Sequence, residues 1–416
     1  MELANWRTGT SWPVAQAAVS VVGMSEVARV ARQFATASEF TTSPLYRALS
    51  PVVANNERLV RLAARRRAGQ YPTFLFFGAV HALLLSSVRA NANANAGADH
   101  DLARYYPSIV GAQALPPQGA GPALEAFCAE HEPELAHLIE TRLVQTNHVQ
   151  RSLGLRLGLA AIRRHTTAAV HLVEIGASAG LNLRHDRYGY RVGGGRFGDT
   201  ASPVQVSAQW LGGSGVPDLD AVPRVLDVTG VDLHPLDAAN VDHRRWLEAL
   251  VWPENRRQAE LLSAALDVVV ADPPRLLAGD AVDLCPALDA ELPADEPVVV
   301  FHSATRIHVP VPRQAAFDAA IADLGRARPL YWLALEDGVI SSSSQPPSDG
   351  DADTRADPDA DPDVDPNPNP HPHPNPHQHQ RPGRPGPALT LRTPDGKSTT
   401  LAVVDGHLAW VDPLHL

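Results

Sequence analysis

The chain has 416 residues, of which 44% are hydrophobic and 19% charged, and its formal net charge at pH 7 is −11. This length and composition predict a globular protein with a large core. The acidic balance argues against nucleic acid as a partner, because nucleic-acid backbones are bound through an excess of Lys and Arg. The two cysteines, Cys128 and Cys285, offer no disulfide framework and no metal-ligand spacing, which is typical of a reducing, cytoplasmic location.

The first 165 residues are predicted to be helical after a weakly structured extension at residues 1–23, in which we identify no signal peptide. Val27, Val30 and Phe34 fall on one face of a helix, within a helical cap domain predicted at residues 24–165. Phe74–Val88 is too short to span a bilayer, so we interpret it as a buried core helix and expect no membrane partner. Helices are predicted at Glu57–Ala68, Phe74–Ala90, Pro122–Phe127 and Glu134–His165, the last broken near Gly154.

A strand, a tight turn of small residues and the start of a helix are predicted at Val170–Leu183. The apolar run Val170–Ile175 contains Glu174 and is followed by G-A-S-A-G. Such a turn can present free backbone N–H groups to an anionic or polar ligand, as in a nucleotide-type cradle at the end of a parallel strand. The same letters match G-x-S-x-G, the nucleophile elbow of α/β-hydrolases, with Ser178 as nucleophile. A turn that merely allows close packing is a third interpretation.

Strands alternate with helices after this turn, which predicts an α/β domain at residues 166–416 with a parallel sheet. Residues 188–210 are interpreted as an inserted antiparallel hairpin, within which Val204, Val206 and Ala208 alternate with polar residues as in a half-buried strand. Residues 341–388 consist of Asp-Pro, Asn-Pro and His-Pro repeats and are predicted to be a disordered insertion, whose histidines we do not interpret as a metal site. Later strands are predicted at Arg224–Leu233, Pro297–Phe301, Leu330–Leu335, Leu389–Thr393, Thr400–Asp405 and Leu408–Val411.

The hydrolase interpretation requires an acid and then a histidine after Ser178. The candidates are Asp232 or Asp280, followed by His302 or His407. Three features argue against it: the preceding residues are helical, no His-Gly-Gly oxyanion loop lies upstream, and a polar run begins at Arg184.

Acids at successive strand ends favour the cradle. Glu174 can accept hydrogen bonds from the loop or a ligand, Asp232 suits a ribose diol, and Asp280 suits the exocyclic amine of adenine. Each of these acids has a structural alternative, which is to cap the following helix. His302, at another strand end, is the candidate general base, and a buried histidine satisfied by its neighbours is the alternative.

The segment V-E-I-G-A-S-A-G-L-N-L at Val173–Leu183, with Asp186 and Tyr188, resembles the signature of a bacterial and archaeal family known as a domain of unknown function. Three further segments resemble that family, and the likeness covers about Met24–Glu336. The succession of strand with acid, glycine turn, strand with acid and C-terminal antiparallel strands also resembles class I methyltransferases that use S-adenosylmethionine, although Ser178 replaces their middle glycine. The three further segments are Val144–Asn147, Val231–Asp237 and Val251–Glu254.

The methyltransferase resemblance implies a Rossmann-like sheet with C-terminal antiparallel strands, plus an N-terminal all-helical domain. It implies S-adenosylmethionine as cofactor and methyl transfer to a small molecule or a protein side chain. His302 is then the general base, and Asp186 and Tyr188 contact the methyl acceptor. A hydrolase acting through Ser178 and a non-catalytic nucleotide-binding module remain as alternatives. The implied cofactor-binding residues are Glu174, Gly176, Ser178, Gly180, Asn182, Asp232 and Asp280.

Overall fold

The computed structural model describes residues 26–40, 42–91, 100–145, 148–212, 215–336 and 386–416. Two compact units divide the chain: Met1–Val144 with Trp252–Glu254, and Gln145–Val251 with Asn255–Leu416. The predicted extension at residues 1–23 lies outside the described residues, as does all of the predicted insertion except its last three residues.

In the first unit, the described residues form only helices as regular secondary structure. The predicted core helix is confirmed as α4, in which Leu75, Phe76 and Phe77 are fully buried. Phe34 packs edge-on against Phe76 and Phe77, with ring centroids 5.7 Å apart in each pair. The helices are α1 (residues 26–35), α2 (Pro44–Ala54), α3 (Glu57–Ala63), α4 (Pro72–Asn91), α5 (Pro107–Val110), α6 (Gly121–Glu130) and α7 (Glu132–Thr141).

The W-P-E segment returns to this first unit from the second half of the chain. The Glu254 carboxylate accepts hydrogen bonds from Ser43 Oγ and from the Leu45 amide, both at 2.8 Å, at the beginning of α2. The Trp252 ring lies 5.9 Å from the Phe40 ring. A carboxylate placed on the first amides of a helix satisfies donors that have no partner within the helix. The segment therefore stabilises the N-terminus of α2.

The second unit is an α/β structure built on one large mixed sheet. Among the described residues the strand order is β3-β2-β4-β11-β10-β9-β8-β7-β1-β5-β6. The strands β8, β7, β1, β5 and β6 run parallel, β9–β11 alternate in direction, and β4 and β2 lie parallel to β11. The strands are β1 (Val170–Ile175), β2 (Gly189–Val192), β3 (Gly195–Gly198), β4 (Gln205–Trp210), β5 (Val225–Asp232), β6 (Arg275–Ala278), β7 (Val298–Ser303), β8 (Leu330–Glu336), β9 (Ala388–Arg392), β10 (Ser398–Val404) and β11 (Trp410–Pro413).

Helices cover both faces of the parallel strands. Leu172 of β1 belongs to the apolar cluster that includes α8, whereas its neighbour Val173 belongs to the cluster on α11 and α12. Side chains alternate along a strand, so Glu174 shares the α8 face with Leu172, and His302 shares the α12 face with Val300. The helices are α8 (Arg151–Ile162), α9 (Val241–Ala249), α10 (Arg256–Ala271), α11 (Ala281–Glu291) and α12 (Val311–Asp323).

The predicted helix break near Gly154 is wrong, because Gly154 lies inside α8 and the described non-helical residues between α7 and α8 are 142–145 and 148–150. The glycine serves close packing. A Cβ at Gly154 would lie 3.2 Å from Leu335 Cδ2, and one at Gly158 would lie 2.5 Å from Leu333 Cδ1. The α8 helix thus lies directly on β8.

Residues 188–210 differ in part from the predicted antiparallel hairpin. The strands β2 and β3 form the antiparallel pair, and β4 runs parallel to β2 on its other side. The predicted helix start after the glycine turn is a short 3-10 helix at Asn182–Arg187 with a kink at Arg184. No helix within the described ranges is long and apolar enough to cross a membrane.

Candidate functional site

The strand order places a topological switch point between β1 and β7. Within the part of the sheet ordered β8-β7-β1-β5-β6, the chain order runs from β1 to β5 and β6 on one side, then to β7 and β8 on the other. In open parallel sheets, ligands bind outside the carboxyl ends of the strands at such a point. The segments that meet this edge are the turn after β1, Asp232 of β5, the residues after β7, and Glu336 of β8.

The turn after β1 requires left-handed backbone at three positions, since φ is +79° at Gly176, +49° at Ser178 and +74° at Gly180. A Cβ on Gly176 would overlap the Thr305 side chain, and one on Gly180 would lie 2.5 Å from Pro274 Cγ. Glycine is therefore required here both for conformation and for space. The turn consequently packs directly against the loop that follows β7.

The amides of this turn are largely engaged within the protein. Gly176 and Ala177 donate to the Val231 carbonyl at 2.8 and 3.2 Å, and Ser178 N donates to Asp232 Oδ2 at 2.8 Å. The expected row of free N–H groups at the start of an α-helix is therefore not formed. The turn leads instead into the short 3-10 helix at Asn182–Arg187.

Glu174 is buried, with 2% of its surface exposed. Its Oε1 accepts a hydrogen bond from Asn182 Nδ2 at 2.7 Å, whereas Glu174 Oε2 and Asn182 Oδ1 have no hydrogen-bond partner among the described residues. Burial raises the pKa of Glu174 to about 8; the Asp232 charge adds to this, while the Asn182 hydrogen bond and Arg151 oppose it. Among the described residues, two buried oxygens of this pair thus lack a hydrogen-bond partner.

Asp232 also accepts hydrogen bonds in this region. Besides Ser178, it accepts hydrogen bonds at Oδ1 from the His234 amide at 2.8 Å and from Gln145 Nε2 at 3.4 Å. Gln145 also donates to the His234 carbonyl at 2.9 Å. Gln145 was not predicted as a site residue, although its V-Q-T-N segment was part of the family resemblance.

Asp280 takes the structural role that was the alternative for it. Its Oδ1 accepts the Val282 amide at 2.9 Å and so caps α11, and Oδ2 pairs with Arg313 at 2.8 Å. The predicted contact with an adenine amine would require Asp280 to share these oxygens with the ligand.

His302 is fully buried and paired with Glu336, whose Oε1 lies 2.7 Å from His302 Nδ1. The same oxygen accepts the amides of Thr305 and Arg306 at 2.8 and 3.0 Å. Burial alone would raise the pKa of Glu336, but the hydrogen bond and charge of His302 and the two amides hold it below its ordinary value. Among the described residues, His302 Nε2, Ser303 Oγ and Glu336 Oε2 are buried without partners.

Arg151 and His308 complete the charged surroundings, and sequence reasoning missed both. Burial lowers the pKa of His308, Glu336 raises it and Arg151 lowers it further. Arg151 also acts on Glu174, so it lies within electrostatic range of both Glu174 and His308. A charge within the largely apolar segment that forms α8 is the sequence signal that could have marked Arg151.

The two predicted acceptor contacts differ in burial and in their partners. Tyr188 is buried, and its hydroxyl donates to the Leu181 carbonyl at 2.7 Å, which fixes the chain after the turn. Asp186 is exposed beside Arg187, at 3.5 Å.

Some of the groups that a serine hydrolase requires are present. Ser178 has the positive φ that a nucleophile elbow needs, and His302 with Glu336 forms a histidine–carboxylate pair. However, within the described part of the chain, His302 Nε2 has no hydrogen-bond partner. The Ser178–His302 hydrogen bond on which a triad depends is therefore not made.

Comparison with known proteins identifies a family for most of the chain. Residues 28–412 match a family described as "uncharacterized protein conserved in bacteria (DUF2332)". Among curated proteins, none matches the chain. Because the family match extends from α1 to β11 and covers the strands and turns that build the site, the chain belongs to this bacterial DUF2332 family.

Proposed function

We propose that this protein binds S-adenosylmethionine at the carboxyl edge of β1 and β7 and transfers its methyl group to a small molecule or a protein side chain. The observation that carries the proposal is the Glu174–Asn182 pair beside the glycine turn at the switch point. Two buried oxygens of this pair have no hydrogen-bond partner among the described residues. A ligand that brings hydrogen-bond donors satisfies these oxygens, which are otherwise costly to bury.

The charge of the site favours a cationic ligand over a pyrophosphate. Asp232 and Glu336 lie at these strand ends, and the turn amides that would hold a phosphate are engaged with Val231 and Asp232. S-adenosylmethionine supplies an activated methyl group on a positively charged sulfonium. Acidic surroundings attract such a cation and repel a polyphosphate.

The sheet supports the finer fold assignment. Five parallel strands with helices on both faces, followed by antiparallel β9–β11, agree with a Rossmann-like sheet of the methyltransferase type. The helices of the first unit agree with an N-terminal all-helical domain. Fold alone does not establish an activity, so the proposal depends on the site.

Different residues contribute to positioning and to proton transfer in the proposed reaction. Methyl transfer depends mainly on the positioning of donor and acceptor. Asp232 and the glycine turn contribute to this positioning by fixing one side of the proposed binding site. Glu336 accepts a hydrogen bond from the N–H at Nδ1 of His302. The other ring nitrogen, Nε2, is then the basic nitrogen. A base in this tautomer can take the proton that an acceptor hydroxyl or amine loses.

Calorimetry with the full chain tests the proposal. We expect S-adenosylmethionine to bind, and Asp232→Ala to weaken binding by about 1.5–3 kcal/mol through loss of charge-assisted hydrogen bonds. Asp395→Ala is the matched control, because Asp395 also organises a turn, between β9 and β10, at the other edge of the sheet. Absence of binding heat at millimolar ligand contradicts the proposal, as does equal weakening by the two variants.

A further inference from the structure

We propose that the exposed face of β3, β2 and β4 carries a binding site for the phosphate group of a small phosphorylated molecule. Three arginines and one hydroxyl group form this site. It is separate from the proposed S-adenosylmethionine site, because β11, β10, β9 and β8 lie between β4 and β7 in the sheet order. The inference therefore goes beyond the proposed function and does not depend on it. The residues are Arg191, Arg196, Ser207 and Arg257.

The strand register brings these side chains into one row. Arg191 of β2 is in register with Arg196 of β3 on one side and with Ser207 of β4 on the other. Register partners project from the same face of a sheet, and neighbouring strands lie about 5 Å apart. Arg257 of α10 donates a hydrogen bond to Ser207 Oγ and so extends the row by a third guanidinium group.

A tight turn fixes the arginine pair. Gly193 and Gly194 connect β2 to β3 and have φ values of +55° and +86°. Positive φ at both positions is what a type I′ hairpin turn requires. Because turn type and loop length set the register of a hairpin, Arg191 and Arg196 are held opposite each other before any ligand binds.

The row lies on the solvent side of the three strands. Tyr190 and Val206 are buried in the apolar cluster on the other side, and side chains alternate between the two faces along a strand. Arg191, Arg196 and Arg257 are exposed. A ligand in solution can therefore reach all three guanidinium groups.

The arginine pair carries a repulsion that the described residues do not offset. Like charges directly opposite each other destabilise a sheet, and an arginine cannot relieve the repulsion by losing its proton. Within the described ranges, neither Arg191 nor Arg196 forms an ion pair, and the only polar partner of Arg257 is a serine hydroxyl. Its neighbour Arg256, by contrast, pairs with Glu260 at 3.9 Å. Three positive charges in one row favour an anionic ligand.

A phosphate monoester matches this row better than a carboxylate does. Near neutral pH it is mainly a dianion with three terminal oxygens, and each guanidinium fork can donate two hydrogen bonds to such oxygens. A carboxylate brings one charge and two oxygens. Ser207 Oγ accepts the hydrogen bond from Arg257 and keeps its own O–H to donate to the phosphate. The formal net charge of −11 opposes a long polyanion such as nucleic acid.

Nitrogen-15 NMR of the full chain, labelled at arginine, tests the site at pH 7. As glycerol 3-phosphate replaces sodium chloride at constant ionic strength, the Nε–Hε signals of Arg191, Arg196 and Arg257 should shift together and saturate with one dissociation constant. Arg191→Gln should weaken binding about tenfold, because charge-assisted hydrogen bonds are lost. Arg256→Gln is the matched control on the same surface and should leave the affinity unchanged.

Two further probes distinguish the chemistry and the source of the anion. Sodium acetate should bind roughly tenfold more weakly than glycerol 3-phosphate, and equal affinity would overturn the assignment to phosphate. Vesicles that contain phosphatidic acid present the same group on a membrane and should leave the protein in the supernatant after sedimentation. Capture that Arg191→Gln abolishes would overturn the assignment to a small molecule.

Two outcomes of the titration would reject the site altogether. One is that the three arginine signals stay in place at tens of millimolar glycerol 3-phosphate. The other is that Arg256→Gln weakens binding as much as Arg191→Gln does, which would show a general attraction of anions and no defined site.

Discussion

Glu174 and Glu336 are both buried at the carboxyl edge of the sheet, yet their pKa values are shifted in opposite directions. Glu174 receives one hydrogen bond from a neutral amide, so burial dominates and raises its pKa to about 8. Glu336 Oε1 receives hydrogen bonds from His302 and two backbone amides, so its pKa is lowered. The number of donors on the carboxylate, and not burial alone, decides the sign.

These opposite shifts predict opposite effects on stability. The native state holds the Glu174 proton more tightly than the unfolded chain does, so its contribution is present below pH 4.5 and is lost as the pH rises to about 8. At about 1.4 kcal/mol per pKa unit, Glu174→Gln should stabilise the unliganded protein above pH 8. The contribution of Glu336 is present above its ordinary pKa and lost as the pH falls through its lowered pKa.

Unfolding midpoints measured from pH 4 to pH 9 check both signs. Glu174→Gln should raise the midpoint most at high pH, whereas Glu336→Gln should lower it at neutral pH and less in acid. Profiles parallel to that of the unsubstituted protein would contradict the assigned shifts.

At the scale of single elements, the turn after β1 is constrained by its neighbour as well as by its own backbone. Gly176 and Gly194 both have positive φ, at +79° and +86°. A Cβ on Gly176 would overlap Thr305, whereas at Gly194 no atom of the described residues lies within 4 Å. Alanine substitutions at the two glycines therefore separate the free-energy cost of left-handed backbone from the cost of the contact with Thr305.

We expect Gly194→Ala to cost about 1–2 kcal/mol, the strain of left-handed backbone. Gly176→Ala should cost more, and it should also displace the loop after β7 and weaken S-adenosylmethionine binding. Chemical denaturation and calorimetry of the two variants measure these effects. Equal destabilisation, with binding intact in both, would show that the Thr305 contact is unimportant.

The elements that sequence predicted well are those that a local pattern encodes. The alternation of Val204, Val206 and Ala208 predicted the strand now seen as β4. The pattern could not predict that β4 runs parallel to β2, because alternation reports which face is buried and not the direction of the neighbouring strand. Gly154 was misjudged for a similar reason: its packing on Leu335 outweighs its weak helix propensity.

The candidate site was predictable to the same extent. Glu174 and Asp232 were identifiable as acids at strand ends, and both lie at the switch point. Asn182 and His302 were predicted site residues as well, whereas Gln145 and Glu336 were not. The contacts of all four depend on which strands become neighbours and on how a short 3-10 segment turns. Neither is encoded in hydrophobic periodicity.

At the scale of the whole molecule, the repeat-rich insertion is bracketed by two paired strands. Glu336 of β8 is in register with Ala388 of β9, so these two described residues on either side of the repeats are neighbours in the sheet. The predicted boundary at residue 388 overlaps β9, which begins at Ala388. The four histidines of the insertion lie outside the described residues.

We expect that replacing residues 341–385 with a short Gly/Ser linker leaves the unfolding midpoint within a few degrees and ligand affinity unchanged. Loop-closure entropy grows only logarithmically with length, and the β8–β9 pairing is retained. Differential scanning calorimetry and titration with S-adenosylmethionine measure both quantities. A larger fall in the midpoint would assign the insertion a structural role, and a selective loss of affinity would assign it a role in binding.

The pairing of β4 with β11 has a consequence for how the protein is made. Gln209 and Trp210 are in register with Trp410 and Val411, about 200 residues later in the chain. During synthesis on the ribosome, β2, β3 and β4 emerge long before the strand that attaches them to the rest of the sheet. Such a high contact order predicts slow completion of the fold, and a nascent chain with an unpaired strand edge is exposed to aggregation until translation reaches β11.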